Sequence, residues 1–209
     1  MTAHNPGSQG RPTLVIASGN PGKVKEIGEI LSALGWAVRA QKEWDVPEAV
    51  EDGLTFVENA LIKARNAARV TGLPALGDDS GLVVDALEGR PGLRSARYAG
   101  AGGSRANIEK LLGELDGVPE EHRVAHFYCV MTVVRFADDP APLIATGRWD
   151  GRIAESPRGE GGFGYDPVFY DPARGCTAAQ LPQQEKNAIS HRGRALQGIV
   201  ALLSGELQA

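Results

Sequence analysis

Two adjacent carboxylates, Asp78 and Asp79, form the segment with the clearest catalytic potential, and Ser80 and Gly81 follow them. Neighbouring side chains on an extended chain point in opposite directions, so one carboxylate can face a cleft while the other anchors the fold. A carboxylate in a cleft could hold Mg²⁺ or accept a proton from water. The alternative interpretation of the same residues is an Asp-rich surface turn.

Acidic and basic residues earlier in the chain could complete such a site. Glu51 and Asp52 precede a predicted helix and could supply further oxygen ligands for Mg²⁺. Glu58 has a simpler explanation, because it forms a capping box with Thr55. Lys63 lies about one and a half turns further along that helix. We interpret it as a solvated residue unless the helix lines the cleft.

The loop 18–23, with the sequence Ser-Gly-Asn-Pro-Gly-Lys, lies between a predicted strand and a predicted helix and could bind phosphate. A helix start offers free N–H groups and the positive end of the helix dipole. Lys23 adds a full charge. The loop is not a Walker A sequence, because Ala17 replaces its first glycine and Val24 replaces its Ser/Thr. An ordinary turn with a helix cap is the alternative.

The segment 159–167 is rich in glycine and contains the pattern G-x-G-x-x-G. We reject a dinucleotide-binding fingerprint, because that pattern must open a helix and residues 165–167 do not start one. The segment instead predicts a shaped loop that presents Phe163 or Tyr165 for stacking on a base. Asp166 could accept hydrogen bonds from a nucleoside. A glycine-rich hairpin with core aromatic residues is the alternative.

Donor-rich residues surround the start of the last predicted helix, and they include Lys186, His191 and Arg192. Such a helix start suits an anion or a carbonyl oxygen. Taken alone, the lysine and the arginine would more often be surface charges. His122 and His126 flank a predicted strand, where their spacing does not bring two metal ligands together. We treat neither cysteine as a ligand or a nucleophile.

The elements that position these residues alternate between strands and helices early in the chain and pair as a long hairpin later. This order predicts an α/β fold with a mixed sheet and two lobes around a cleft. The predicted elements are a strand at Thr13–Ala17, a helix that Asn20 caps and whose apolar face ends at Leu34, a strand over 36–40, a helix over 56–70, a helix that opens at Ser104, a strand over 124–136, its antiparallel partner over 142–153, and a helix over 191–203 with Ser190 as cap and Gly205 past its end.

Composition excludes several classes of protein. The chain has 209 residues, 42% hydrophobic and 23% charged, which is typical of a globular protein. Two cysteines, Cys129 and Cys176, are too few for a disulfide scaffold. No apolar run is long enough to span a membrane, and residues 1–12 lack the core of a signal peptide. We therefore expect a flexible N-terminal extension over 1–12 and a cytoplasmic protein. The net charge of −4 argues against binding nucleic acid.

All four motifs together, in this order, resemble the purine nucleoside triphosphate pyrophosphatases of the inosine/xanthosine triphosphate diphosphatase (ITPase) family. The resemblance covers about residues 13–204. The residues that carry it are Ser18-Gly19-Asn20 with Lys23, Thr55-Phe56 with Glu58-Asn59-Ala60, Lys63-Ala64, Asp78 to Leu82, Ser95-Ala96-Arg97-Tyr98, Gly161 to Pro167, Glu185-Lys186 and Ser190-His191-Arg192.

The resemblance implies an ITPase-like α/β fold with a long central mixed sheet and two lobes around the active site. It also implies a single catalytic domain over 13–209, Mg²⁺ as cofactor, and a homodimer with no nucleic-acid or membrane partner. The implied reaction converts ITP, dITP or XTP and water to a nucleoside monophosphate and pyrophosphate. A related pyrophosphatase acting on other modified nucleotides, or a nucleotide-binding module without catalysis, remains an alternative.

Residue roles follow from the resemblance position by position. Asp79 matches the catalytic carboxylate and a metal ligand, and Glu51 matches a second metal-site acid in a segment that fits less closely. The residues that match substrate contacts are Ser18, Gly19, Asn20, Lys23, Lys63, Ser80, Phe163, Gly164, Tyr165, Asp166, Lys186, His191 and Arg192.

Overall fold

A seven-stranded mixed sheet lies at the centre of the residues that the computed structural model describes, 12–33 and 35–206. The order of the strands is β2-β1-β3-β4-β5-β6-β7. Strand β1 pairs in parallel with β2 and β3, and the remaining neighbours pair antiparallel. The strands are β1 (Thr13–Ala17), β2 (Ala37–Ala40), β3 (Ala75–Val84), β4 (Val124–Val134), β5 (Leu143–Ile153), β6 (Phe169–Asp171) and β7 (Cys176–Thr177).

Helices cover both faces of this sheet. They are α1 (Pro21–Ala33), α2 (Phe56–Thr71), α3 (Gly103–Glu114), α4 (Gln183–Ile189) and α5 (His191–Glu206). The alternation of β1 shows which helix covers which face. Leu14 and Ile16 pack in one apolar cluster with α1 and α5, whereas Val15 and Ala17 pack in another with Ala64 of α2. The α/β fold with a mixed sheet is thus confirmed, and the division into two lobes stays a prediction.

Most predicted elements form where the sequence places them. The strand at Thr13–Ala17 matches β1, and the predicted hairpin is the β4–β5 pair, whose register joins Val124 to Arg152. Helix α2 ends at Gly72, which adopts a left-handed conformation with φ of 68°. Within the described residues, no helix is long and apolar enough to cross a bilayer. Residues 1–11, Leu34 and 207–209 lie outside the described part of the chain.

Four predicted details are wrong. The alternative of an Asp-rich turn fails because residues 78–81 lie inside β3, paired with β4. Helix α5 continues through Gly205 instead of ending before it. Helix α3 begins at Gly103, one residue before the predicted start at Ser104. Glu58 accepts the N–H of Leu54 at 2.7 Å, so only the Thr55 half of the capping box forms.

Candidate functional site

The open edge of β3 organises the site. Strand β1 stops at Ala17, which pairs with Gly77, but β3 runs on to Val84. The loop 18–23 therefore leaves β1 beside an edge of β3 that β1 no longer covers. Asp78 and Asp79 are the first two residues on this edge. Their side chains point to opposite faces of the sheet.

Asp78 faces helices α1 and α5 and is fully enclosed. Its Oδ2 accepts a hydrogen bond from Nζ of Lys23 at 2.6 Å, and Nε of Arg192 lies 3.8 Å away. Arg192 also donates to Oγ of Ser80 at 3.2 Å. Burial raises the pKa of Asp78, but the charges of Lys23 and Arg192 outweigh it and lower the pKa to about 2. Asp78 is therefore ionised and joins α1 and α5 to the sheet.

Asp79 faces helix α2 on the other side. Its Oδ1 accepts from Nζ of Lys63 at 2.9 Å, and Nζ also donates to Oε2 of Glu51 at 3.1 Å. Nδ2 of Asn59 lies 3.4 Å from Oδ2 of Asp79. Burial raises the pKa of the Asp79 carboxyl despite the attraction of Lys63, and Glu51 adds to the rise. Helix α2 lines the site, which is the condition under which we expected Lys63 not to be solvated, and its side chain is only 15% exposed.

The loop 18–23 forms the predicted helix start. Oδ1 of Asn20 accepts the N–H groups of Gly22 at 2.9 Å and Lys23 at 3.3 Å. Oγ of Ser18 accepts the N–H of Asn20 at 3.2 Å. These bonds shape the turn and begin α1 directly beside Asp78. The cap prediction is confirmed, and Lys23 is held over the edge of β3 rather than extending into solvent.

The glycine-rich segment 159–167 is a loop with no helix after it, so the rejection of a dinucleotide fingerprint is confirmed. Its shape depends on Asp166, whose Oδ2 accepts the N–H of Phe163 at 2.7 Å and also binds Nζ of Lys186. A Cβ on Gly162 would overlap this carboxylate. Asp166 is buried, and its Oδ2 already accepts hydrogen bonds from Phe163 and Lys186. Its carboxylate therefore fixes the shape of the loop and is not freely available to accept hydrogen bonds from a nucleoside.

The two aromatic residues of this loop differ in availability. Phe163 is 57% exposed, and its ring centroid lies 5.0 Å from Nζ of Lys186 and 5.5 Å from Cζ of Arg192. Tyr165 is buried, and its hydroxyl donates to the carbonyl of Ser95 at 2.9 Å. Only Phe163 is therefore placed to stack on a base.

His191 begins α5 and is buried against Phe127, with the ring centroids 4.7 Å apart and the planes 13° from parallel. Burial lowers its pKa well below 6.5, and the charges of Arg192 and Lys186 lower it further. Among the described residues, Nδ1 of His191 has no hydrogen-bond partner. Ser190 caps the helix as predicted, because its Oγ accepts the N–H of Gly193 at 3.1 Å. A neutral imidazole thus faces the site.

A cavity of about 260 Å³ lies between the loop 18–23, the glycine-rich loop and the start of α5. Lys186 and Arg192 line it and are buried, so the surface-charge alternative is wrong. The predicted site residues in its lining are Asn20, Lys23, Ser80, Phe163, Gly164, Tyr165, Asp166, Lys186, His191 and Arg192. Ser18, Gly19, Glu51, Lys63 and Asp79 lie outside this lining, the last three on the α2 face of β3.

Sequence reasoning assigned no role to several residues that shape the site. Asn107 donates to the carbonyls of Ser95 and Ala96 and accepts the N–H of Ala99 at 2.7 Å, which fixes one wall of the cavity. Asn59 supports Asp79. Both asparagines are buried near the starts of helices, Asn59 in α2 and Asn107 in α3. A polar residue on the apolar face of a predicted helix was the signal in the sequence that could have indicated them, because a buried polar group needs hydrogen-bond partners.

The two histidines at the start of β4 lie where the sequence analysis placed them. His122 is exposed, and His126 lies in β4. Cys129 is buried, and burial raises the pKa of its thiol to about 12, which favours the protonated form. Cys176 is also a free thiol, and burial raises its pKa. Neither cysteine offers a thiolate to the site.

Comparison with known proteins finds similar sequences over most of the chain. The profile of the Ham1 family matches residues 14–202. A dITP/XTP pyrophosphatase of Yersinia pseudotuberculosis is 58% identical over 184 residues, 88% of this chain and 93% of the relative. That of Vibrio parahaemolyticus is 51% identical over 194 residues, 92% of this chain and 97% of the relative.

Two solved structures share the fold at high identity. A HAM1 protein from Coxiella burnetii superimposes with a TM-score of 0.89 at 49% identity, covering 93% of this chain and 99% of that one. The Staphylococcus aureus Ham1 protein superimposes with a TM-score of 0.85 at 41% identity, with the same coverage of both chains.

Proposed function

The chain belongs to the Ham1 family, and on this premise we propose that it is a nucleoside triphosphate pyrophosphohydrolase that acts on ITP, dITP and XTP. It converts them to monophosphate and pyrophosphate and so removes deaminated purine nucleotides from the nucleotide pool. The observation that carries the proposal is the edge of β3: Lys23 of the helix start and the ring of Phe163 line one cavity there, Asp78 binds Lys23, and Asp79 lies next along the strand with Lys63 on the opposite face. The names of the relatives support this substrate class.

Mg²⁺ is the proposed cofactor, and the donor set fits it. Oxygens of Asp79 and Glu51 both lie within about 3 Å of one point, the Nζ of Lys63. Mg²⁺ is commonly held by one or two carboxylates together with substrate phosphates and water. When bound, it supplies positive charge to the triphosphate and to the leaving pyrophosphate.

Asp79 is the proposed general base. A carboxylate at this position on β3 can accept a proton from a water molecule. It orients a water molecule and accepts its proton while the water oxygen attacks the α-phosphorus. The bond from the α-phosphorus to the bridging oxygen breaks, and pyrophosphate leaves with that oxygen. Lys23 neutralises charge on the phosphates from the helix start.

Base selection is proposed to depend on Phe163, His191 and Arg192. Phe163 stacks on the purine, while donors of His191 and Arg192 face its 6-oxygen. Adenine carries an amino group there, which would leave buried donors without an acceptor. A site that reads hydrogen bonds in this way can reject ATP strongly, since an unpaired buried donor costs about 1–3 kcal/mol.

A homodimer in the cytoplasm with no nucleic-acid or membrane partner completes the proposal, with residues 13–209 as one catalytic domain. Light scattering on the purified protein checks the assembly. A dimer has twice the chain mass of 22.1 kDa, and a single species at the chain mass contradicts this part.

A substrate panel tests the reaction. The purified protein is incubated with Mg²⁺ and ITP, XTP, dITP, GTP, ATP or dTTP, and the products are separated. Conversion of ITP, dITP and XTP to monophosphate and pyrophosphate, with ATP and GTP nearly untouched, is expected. Preference for dTTP would favour a related enzyme with another substrate, and binding of ITP without turnover would favour a nucleotide-binding module.

A further inference from the structure

The ammonium group of Lys63 lies between the two carboxylates assigned to the metal. Its Nζ is 3.1 Å from Oε2 of Glu51 and 2.9 Å from Oδ1 of Asp79. The side chains of Lys63 and Asp79 are each only 15% exposed, and that of Glu51 is 34% exposed. The lysine therefore holds the position where a divalent cation would contact both acids.

The charges around this point favour exchange of one cation for another. Two carboxylates face one ammonium group, so the cluster has an excess of negative charge before any ligand binds. A divalent cation and an ammonium group cannot share the same two oxygens, because they repel each other strongly at such short distances. One of them has to leave when the other binds.

Lys23 cannot be the cation that exchanges with the metal between Glu51 and Asp79. Its Nζ is bound to the buried Asp78 at 2.6 Å on the opposite face of β3. Asn59 contacts the second oxygen of Asp79 and so keeps that carboxylate in place when the ammonium leaves. Lys63 is anchored on α2 by a flexible stem, which lets its charged end move while the helix stays fixed.

We propose that Lys63 is the resident counter-cation of the metal site and competes with the divalent cation for Glu51 and Asp79. Lys63 leaves both carboxylates when the cation binds, and its ammonium group then pairs with phosphate oxygens of the nucleotide. Cation and nucleotide binding are therefore coupled, and the protein alone binds the cation weakly. This inference rests on the proposed function, because it takes its metal site from there.

Binding of Mn²⁺ alone, measured by electron paramagnetic resonance without nucleotide, tests the competition. The variants are Lys63→Met and Lys63→Gln, each checked for folding by thermal unfolding. Lys25→Met is the matched control, because it removes the same charge from an exposed pair with Glu29. We expect both Lys63 variants to bind Mn²⁺ at least tenfold more tightly than the wild type, and Lys25→Met to stay within twofold.

The gain should disappear in a Lys63→Met/Asp79→Asn double variant, because the cation then loses a ligand. Mn²⁺ affinity in both Lys63 variants equal to or below that of the wild type would overturn the inference. If the wild-type protein hydrolyses dITP with Mg²⁺ but the Lys63 variants show no gain in Mn²⁺ affinity, the competition is refuted and the proposed function still holds. If the Lys63 variants bind Mn²⁺ tenfold more tightly but the wild-type protein hydrolyses no nucleotide, the proposed function is refuted and the competition still holds.

Discussion

Asp78 and Asp79 are neighbours on β3, yet their carboxylates lie on opposite faces of the sheet and bind lysines from different helices. Asp78 pairs with Lys23 of α1, and Asp79 pairs with Lys63 of α2. The first carboxylate is enclosed and has a lowered pKa, whereas the pKa of the second is raised. Strand alternation thus separates a structural charge from one available for chemistry.

Replacement of the base tests the role of Asp79. In Asp79→Asn we expect kcat for dITP to fall by at least about 100-fold with Mg²⁺ saturating, since an amide cannot accept the proton. Asp138→Asn, at the exposed end of the β4–β5 hairpin, is the control and should keep wild-type kcat. Near-normal kcat in Asp79→Asn would remove this residue from catalysis.

The buried ion pair predicts a large loss of stability in Asp78→Asn. That change removes the buried counter-charge of Lys23 and one carboxylate beside the buried Arg192, which we expect to lower the free energy of unfolding by about 3 kcal/mol. The exposed Asp150, paired with Arg148, is the comparison, and Asp150→Asn should change it by less than about 0.5 kcal/mol. Urea unfolding measures the free energy of unfolding of both variants. Equal losses in Asp78→Asn and Asp150→Asn would contradict the idea that Asp78 joins α1 and α5 to the sheet.

Stacking by Phe163 predicts a binding defect without a folding defect. Phe163→Ala should raise KM for ITP about tenfold, as loss of one base–aromatic stack does elsewhere. Its ring is 57% exposed, so the unfolding temperature should hardly move. Phe136→Ala removes a similarly exposed ring, 54%, at the far end of β4 and should leave KM unchanged. An unchanged KM in Phe163→Ala would assign the base to another surface.

The buried His191 makes stability depend on pH. Because its pKa in the folded protein lies well below 6.5, the unfolded chain binds a proton there that the folded chain does not. The free energy of unfolding therefore falls as the pH drops below 6.5, by up to about 1.4 kcal/mol per pH unit for one proton.

Two histidine variants isolate that contribution. We expect His191→Asn to flatten the stability curve between pH 6.5 and 5, while the exposed His122→Asn keeps the wild-type slope. Chemical denaturation at a series of pH values provides the measurement. A wild-type slope in His191→Asn would mean that the imidazole has the same pKa in the folded and the unfolded chain.

Glycine packing predicts opposite effects at two positions. A Cβ on Gly147 of β5 would overlap the carbonyl of His191 and lie 2.7 Å from N of Ala195, so Gly147→Ala should push α5 away. We expect it to lose stability and to raise KM together. Gly113 of α3 has open space around it, and Gly113→Ala should stabilise by about 0.5–1 kcal/mol. Thermal unfolding of the pair checks the contrast.

Local signals predicted the elements that have clear boundaries. The cap of Asn20 begins α1, and the left-handed Gly72 ends α2, because both depend on a few adjacent residues. Residues 78–81 were ambiguous, since Asp, Ser and Gly favour turns. They form a strand because ten residues of β3 pair with β4, from Ala75 with Val134 to Val84 with Ala125. Pairing with a strand so distant in the chain cannot be predicted from the sequence of residues 78–81 alone.

The buried cations show the same limit at the site. Lys186 and Arg192 read as surface charges because their partners, Asp166 and Asp78, are distant in the sequence. Only the fold brings those carboxylates close enough to compensate burial. The family motifs nevertheless named ten of the residues that line the cavity, although they could not show that Asp166 holds the loop or that Lys63 lies between Glu51 and Asp79.

Hydrolysis of dITP in water enriched with ¹⁸O tests most directly whether this site releases pyrophosphate by attack on the α-phosphorus. Mass spectrometry locates the label in the products. We predict one ¹⁸O atom in the deoxyinosine monophosphate and none in pyrophosphate, because water held by Asp79 attacks the α-phosphorus. Label in pyrophosphate, or formation of a diphosphate with labelled orthophosphate, would contradict that reaction.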